Sequence, residues 1–407
     1  MSGKQKSTIN KPLRTFLGAL LVGGTALGAG MLALPVATAG GGLVASWCVY
    51  VLSWLFGIAT GLLFVEIGLW LKPGANIVTM ATIILGPWGR KAVWVLYSFL
   101  FYFLTIAYVA GGGNLLSQIT GGGIPGPLAT VVFTIFFAVF VYAGTQVAGK
   151  VNAILMAGLI VTYFMFLGMG ILEMRVDSFQ VFGWQGAVMG LPIIFTSFSF
   201  QGVVPSLLEY LHRDAKACRS AIIYGTTIPL IAYIFWDLVI KGIIPVEGVH
   251  GLYAARVNGQ SAVAPLMYFL PHSPVTLVAN FFAFFALTTS FIGVTLGLLD
   301  FLADSLGMKK VGLKKLSLCT VIYVPPMIIS LINPSIFLRA LGLAGGFGCA
   351  ILLGFMPILM VWMGRYRLKY KTSDTQLFGG KGLLVVLLAF VSVEVVVELI
   401  SEVLKII

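Results

Sequence analysis

Two short stretches carry residue types that could hold a small polar ligand. The first, Gly23-Gly24-Thr25-Ala26-Leu27-Gly28-Ala29-Gly30 followed by Pro35, clusters glycine in the middle of an otherwise Leu- and Val-rich run. The second, Phe195-Thr196-Ser197-Phe198-Ser199-Phe200-Gln201-Gly202-Val203-Val204-Pro205, is hydroxyl-bearing and proline-terminated. Glycine weakens a helix, and Pro205 suits the first turn of one that resumes. A helix interrupted inside a bilayer leaves N–H and C=O groups that lipid cannot satisfy, so each break must face protein, water or a bound ligand. Close packing of small residues is the other reading of the first stretch, where Gly24 and Gly28 have the spacing for it. Catalytic chemistry is absent: His212, His250 and His272 are unclustered, and no nucleophile is paired with a base. No enzyme activity, metal site or cofactor is expected. Cys48, Cys218, Cys319 and Cys349 match no metal spacing. The acids near helix ends, Glu66, Asp237 with Lys241, and Asp300 and Asp304 ahead of Lys309 and Lys310, read as snorkelling ion pairs. Glu394, Glu398 and Glu402 recur every four residues and form one stripe, with Glu394 near mid-helix, where it is protonated or paired with a neighbouring subunit.

The elements that must position these residues follow from composition. Lys and Arg number 25 against 13 Asp and Glu, a net +12, yet only 9% of the 407 residues are charged and 59% are hydrophobic. An ordinary soluble protein is excluded. Residues 15–65 and 92–149 contain no Lys, Arg, Asp or Glu, and about 20 apolar residues already span a bilayer. Apolar runs cut at turn signals give eleven spans, near 15–42, 45–71, 92–117, 128–146, 152–172, 187–210, 220–240, 275–302, 316–335, 340–363 and 383–404. The apolar run after Arg14 is too long and glycine-interrupted for a cleaved signal peptide. With residues 1–14 cytoplasmic, twenty basic residues fall on inside segments: Lys4, Lys6, Lys11, Arg14, Lys72, Arg90, Lys91, Lys150, Arg213, Lys216, Arg219, Lys309, Lys310, Lys314, Lys315, Arg365, Arg367, Lys369, Lys371 and Lys381. Only Arg175, Lys241, Arg256, Arg339 and Lys405 fall outside, so the net charge is a topology signal that leaves the C-terminus external. Short basic loops are not a nucleic-acid surface, and the bilayer is the expected partner.

The two polar stretches lie in spans one and six. Five is odd, so the sixth span enters from the opposite face, and spans one to five and six to ten can be inverted repeats. Residues 15–407 then form one domain, with repeat one at 15–172, repeat two at 187–363 and an added eleventh span at 383–404. Two discontinuous helices without a ring of like residues favour a carrier over a channel.

The block from Gly24 to Pro35, the block from Phe195 to Ser206, Ile228-Pro229-Leu230-Ile231-Ala232-Tyr233-Ile234-Phe235-Trp236, and the run from Thr289 to Asp300 resemble the hydroxy and aromatic amino acid permeases, above all their tyrosine-specific branch. The resemblance implies a leucine-transporter-type fold, an inner-membrane location and cation-coupled import of an amino acid, with tyrosine ahead of tryptophan, phenylalanine, serine or threonine. Gln201 stands where the family often has His, and Ser199 where it often has Gly.

For such a ligand, the resuming half of span one would aim the N–H groups of Gly28, Ala29 and Gly30, beside Thr25, at the carboxylate. The ending half of span six would offer carbonyls around Phe195, Ser197 and Phe198 to the ammonium. Phe195, Phe198 and Phe200 of span six and Tyr97, Phe101, Tyr102 and Tyr108 of span three would offer walls for an aromatic ring, and Gln201 would reach a ligand hydroxyl or cap its own backbone. Coupling has two readings. A proton, which the resemblance implies, would use Glu66 or Asp300, because spans one, five and eight offer no nearer acid or base over residues 15–42, 152–172 and 275–299. Sodium would use carbonyls near Val22 and Gly23 with Thr288, Thr289 and Ser290.

Overall fold

The structure, a computed structural model, describes residues 10–175, 183–370, 377 and 379–404. The basic residues Lys4, Lys6, Lys371 and Lys405 of the charge count lie outside them. Among the described residues all regular structure is helical. Helix α1 (Lys11–Ala26) starts with Pro12 in its first turn and stops where Leu27 and Gly28 turn extended. A 3-10 turn (Ala29–Leu32), α2 (Leu34–Ala37) and a second 3-10 turn (Ala39–Gly41) complete the first segment. Then come α3 (Gly42–Trp70), α4 (Ile77–Ile119), α5 (Gly126–Ala143) and α6 (Thr145–Gly170). The second broken segment comprises α7 (Trp184–Val188), α8 (Leu191–Phe198), the link Gln201–Val203 and α9 (Val204–Tyr210). The rest are α10 (Ala215–Ile243), α11 (Leu252–Val257), α12 (Leu266–Phe269), α13 (Pro274–Ser305), α14 (Gly312–Ile332), α15 (Phe337–Leu343), a π segment (Ala344–Phe355), α16 (Met356–Tyr366) and α17 (Gly380–Leu404).

Ten of these segments, counting α8 with α9 and α15 with α16, are long and apolar enough to cross a membrane. The broken first segment, whose longest helix has 16 residues, runs beside α10. Backbone approach makes that pairing tight: a Cβ on Gly23 would lie 2.8 Å from the Gly225 carbonyl oxygen, and one on Gly225 2.5 Å from that of Ala19. Large apolar side chains such as Ile154, Phe164, Leu277 and Val386 stay exposed on the bundle's outside, which suits lipid and would be costly in water.

Two expectations need correction. The third span does not begin near residue 92, because α4 already starts at Ile77, where Asn76 caps it. It bends at Gly86 (φ 75°), a left-handed conformation that glycine supplies, before Pro87 restarts it. The polar stretch from Lys241 to Pro274, whose composition marks a loop between the seventh and eighth spans, is not a plain loop either. It folds into α11 and α12 and reaches back, so that the Ala262 N–H donates to the Leu32 carbonyl at 2.9 Å.

Candidate functional site

Both breaks open onto one cavity of about 400 Å³, walled by the residues from Gly24 to Gly30, by α4, by the α8–α9 link, by α13 and by Leu352 and Leu353 of the π segment. None of its lining side chains is charged. Thr25, Gly202 and Gly293 on its wall are exposed, whereas the residues from Gly28 to Ala39 are buried. The cavity is therefore open at one end and closed at the other, where the Leu32–Ala262 hydrogen bond lies.

The backbone at the first break is held from three sides. The Ala29 N–H donates to Ser290 Oγ of α13 at 2.9 Å. Any side chain at Gly28 would collide with that hydroxyl, and one at Gly30 would lie 2.6 Å from Ser197 Oγ. Gly28 has an extended backbone that any residue can adopt, so close approach is what requires glycine there. Among the described residues no hydrogen bond engages the Gly28 N–H. Tyr233 of α10 ties the two breaks together: its hydroxyl lies 2.6 Å from the Ala26 carbonyl oxygen and 2.7 Å from that of Ser197. A phenol has one proton and donates to one carbonyl at a time, so an acceptor remains between the helix ends.

The cavity brings together Thr25, Gly28, Ala29, Gly30, Tyr108, Ser197, Thr289 and Ser290 of the sequence-derived set. It leaves out Phe195, Phe198 and Gln201. Phe195 packs edge-on against Phe56 (5.1 Å between ring centroids), and Phe198 against Tyr233 (5.0 Å). Gln201 serves its own backbone, accepting from the Phe200 N–H at 2.9 Å while its amide donates to Thr60. Of the aromatic candidates, Phe200, Tyr97, Phe101 and Tyr108 form the wall. Phe195 and Phe198 sit on α8, whereas the chain turns extended at Ser199 and enters a 3-10 turn at Gln201, so helical spacing does not carry across to Phe200.

The expected ion-coupling groups are largely engaged elsewhere. The Val22 carbonyl accepts from Thr25 Oγ1 at 2.7 Å, the Gly23 carbonyl from the Leu27 N–H at 3.0 Å, and Thr289 donates to the Phe285 carbonyl. Thr288 is buried with no partner for its hydroxyl and does not line the cavity. Glu66 and Asp300 also lie off the cavity wall. Glu66 forms a two-pronged pair with Arg365, at 2.7 and 2.5 Å, and Asp300 pairs with Lys310 at 2.8 Å, half-exposed. At the chain's start Lys11 meets Asp214, the cap of α10, at 2.6 Å and holds that carboxyl below its ordinary range.

The snorkelling expectation fails for two of its acids: Glu66 is buried with Arg365, their side chains 2% and 4% exposed, and the second case is more complete. Asp237 and Lys241 do not snorkel; their side chains are 0% and 2% exposed. The Lys241 ammonium donates to Asp237 (3.0 Å), Thr38 Oγ1 (3.0 Å), the Gly42 carbonyl (2.9 Å) and Ser46 Oγ (2.8 Å), and Tyr50 donates to Asp237 at 3.2 Å. The pair turns inward because α2, the turn after it and α3 supply acceptors that lipid and the membrane surface do not. The spacing of Asp237 and Lys241 was visible in the sequence; their hydroxyl partners, from a distant segment, were not.

The chain is 28% identical over 398 residues to the tryptophan-specific transport protein of Haemophilus influenzae, covering 94% of each. It is 30% identical over 355 residues to the tyrosine-specific transport system 1 of the same organism, covering 86% of this chain and 88% of that one. A tyrosine permease of Enterobacter agglomerans is 28% identical, with 81% and 82% covered. Among solved structures, a manganese transporter of Eremococcus coleocola in complex with an aromatic bis-isothiourea substituted compound superposes with a TM-score of 0.59 at 16% identity, covering 98% of this chain and 88% of that one, a likeness of fold alone. With a family model matched from residue 11 to residue 398, this all-helical chain belongs to the tryptophan/tyrosine permease family.

Proposed function

We propose that this chain is a secondary carrier that imports an aromatic amino acid, tyrosine foremost, together with protons by alternating access. The observation that carries the reading is the uncharged cavity between two helix breaks, open at one end, with backbone donors on one side and an aromatic wall on the other. The carboxylate would sit at the Gly28 to Gly30 turn, where an N–H is still unpaired, and the ammonium near the carbonyls that Tyr233 joins. The ring would lie among Tyr97, Phe101, Tyr108 and Phe200, where burial and offset stacking favour an aromatic side chain. Relatives named for tyrosine and for tryptophan both support the ligand class.

In this reading the bundle holds eleven spans, ten in two inverted sets of five and α17 as an addition, in the cytoplasmic membrane with the N-terminus inside. The cavity then opens toward the cytoplasm, and the Leu32–Ala262 contact closes the outer end. Closure at one end favours a carrier over a channel. Sodium is the second reading, which Thr289 and Ser290 on the cavity wall favour. Counterflow of labelled tyrosine in proteoliposomes, competed with each natural amino acid, tests the ligand class. Tyrosine, tryptophan and phenylalanine are expected to compete first; stronger competition by serine or threonine would defeat the reading. Accumulation driven by an inside-alkaline gradient without sodium tests the ion, and uptake that needs sodium and ignores the gradient would move the coupling site to Thr289 and Ser290.

A further inference from the structure

Glu394 of α17 is fully buried inside this one chain, and among the described residues neither carboxyl oxygen has a hydrogen-bond partner. A neighbouring subunit is therefore not what covers it. The face that carries Glu394 packs on the π segment: a Cβ on Gly354 would lie 3.0 Å from Val391, one turn before, and Gly346 abuts the Glu398 side chain, one turn after. Glu394 lies between those two contacts on the same face and thus faces the middle of that segment. An ionised carboxylate with no partner at that depth costs several kcal/mol or more, so the group that fits this conformation is the neutral acid.

The same π segment also walls the ligand cavity. Leu352 and Leu353 line it, Cys349 lies beside Ser199 of the second break, and Gly345 closes on Pro192 and Thr196 of α8. A run of 12 residues in π geometry is rare, and such turns mark functional sites. One element therefore touches both the cavity and the face that carries the carboxyl, which is the contiguity that coupling would use. The other ionisable groups nearby do not neutralise Glu394. Among the described residues α8 and the π segment contribute no charged side chain, and the only titratable one is Cys349. From α16, Arg365 is committed to Glu66 and Tyr366 lies near Lys381 at the other end of α17. On α17 itself Glu398 and Glu402 lie one and two turns on, with Arg339 of α15 held at Glu402.

We infer that Glu394 is the proton-binding group of this carrier, protonated in the conformation described and discharged when the π segment shifts and admits water. This rests on the proton-coupled reading above, and the experiment separates the two. Wild-type protein in proteoliposomes is first given labelled tyrosine, or tryptophan, under a pH gradient alone, acidic outside. Absence of accumulation would overturn the proton-coupled reading and this inference with it. Given accumulation, Glu394→Gln is expected to keep counterflow while losing accumulation entirely, inside and outside concentrations becoming equal. Gradient-driven accumulation by Glu394→Gln at the wild-type level would overturn the assignment to Glu394 alone. If Glu394→Gln fails to insert, Glu394→Asp keeps the acid one methylene short and is expected to accumulate with a displaced pH profile; an unchanged profile would overturn the assignment.

Discussion

The molecule has two polar interiors that differ in kind. Around Asp237 and Lys241 two opposite charges are sealed from solvent, and every donor of the ammonium has an acceptor on α2, α3 or the turn between them. The central cavity has no charge, is open at one end, and leaves backbone groups such as the Gly28 N–H unpaired. Full satisfaction marks a structural clamp, because an ammonium whose three N–H groups face four acceptors has nothing left to offer a ligand. Incomplete satisfaction marks a site that is finished by what it binds.

The largest effect that would break this comparison is expected at the clamp. Lys241→Met leaves Asp237 buried and unpaired, and is expected to cost about 3–5 kcal/mol. Thermal unfolding in detergent would report it as a large fall in Tm, partly recovered in Lys241→Met with Asp237→Leu. A small shift would mean that water reaches the pair and that it is no clamp.

Next comes the cavity. Gly28→Val or Gly30→Val is expected to remove ligand binding while lowering Tm far less than Lys241→Met, because the added methyls fill the carboxylate position and crowd a hydroxyl. Ligand-induced thermal shift measures both, and normal binding would show that the first break is not the carboxylate site. A smaller effect belongs to Tyr233→Phe, which strips one hydroxyl from between the Ala26 and Ser197 carbonyls. Leaving buried acceptors unpaired costs about 1–3 kcal/mol. Equilibrium binding is expected to weaken by roughly tenfold, the lower half of that range.

The smallest effect lies outside both interiors. Lys11 lowers the Asp214 carboxyl below its ordinary range, so that contact stabilises the fold above the unfolded value near pH 4 and is lost as pH falls through the folded value. Asp214→Asn retains a cap and loses only the ion pair. Its Tm is expected to fall slightly at pH 7 and to match wild type in acid; a difference that persists in acid would assign the loss to the cap.

Much of this plan was legible in the residues. Glycine between Gly23 and Gly30 and hydroxyls between Thr196 and Ser199 located both breaks, because the backbone that interrupts a helix is written locally. The start of α4 at Ile77 was not, since Arg90 and Lys91 put the start of the apolar run near residue 92 although the helix continues through the bend at Gly86. Nor was the choice of Phe200 over Phe195 and Phe198 for the cavity, because α8 ends between Phe198 and Phe200 and spacing does not encode the torsions at that end. The fate of the charges was the least legible. Glu66, Asp237 and Glu394 are each buried, yet one faces the distant Arg365, one faces Lys241 a turn away amid hydroxyls from a distant segment, and one has no partner among the described residues.

If a ligand completes the cavity between the breaks, an experimental structure with saturating tyrosine or tryptophan will show density between the turn at Gly28 to Gly30 and the Ser197 carbonyl, with the ring against Tyr108 and Phe200. Density confined to the separate pocket lined by Tyr253, Arg256 and Arg339, with the central cavity empty, would contradict it.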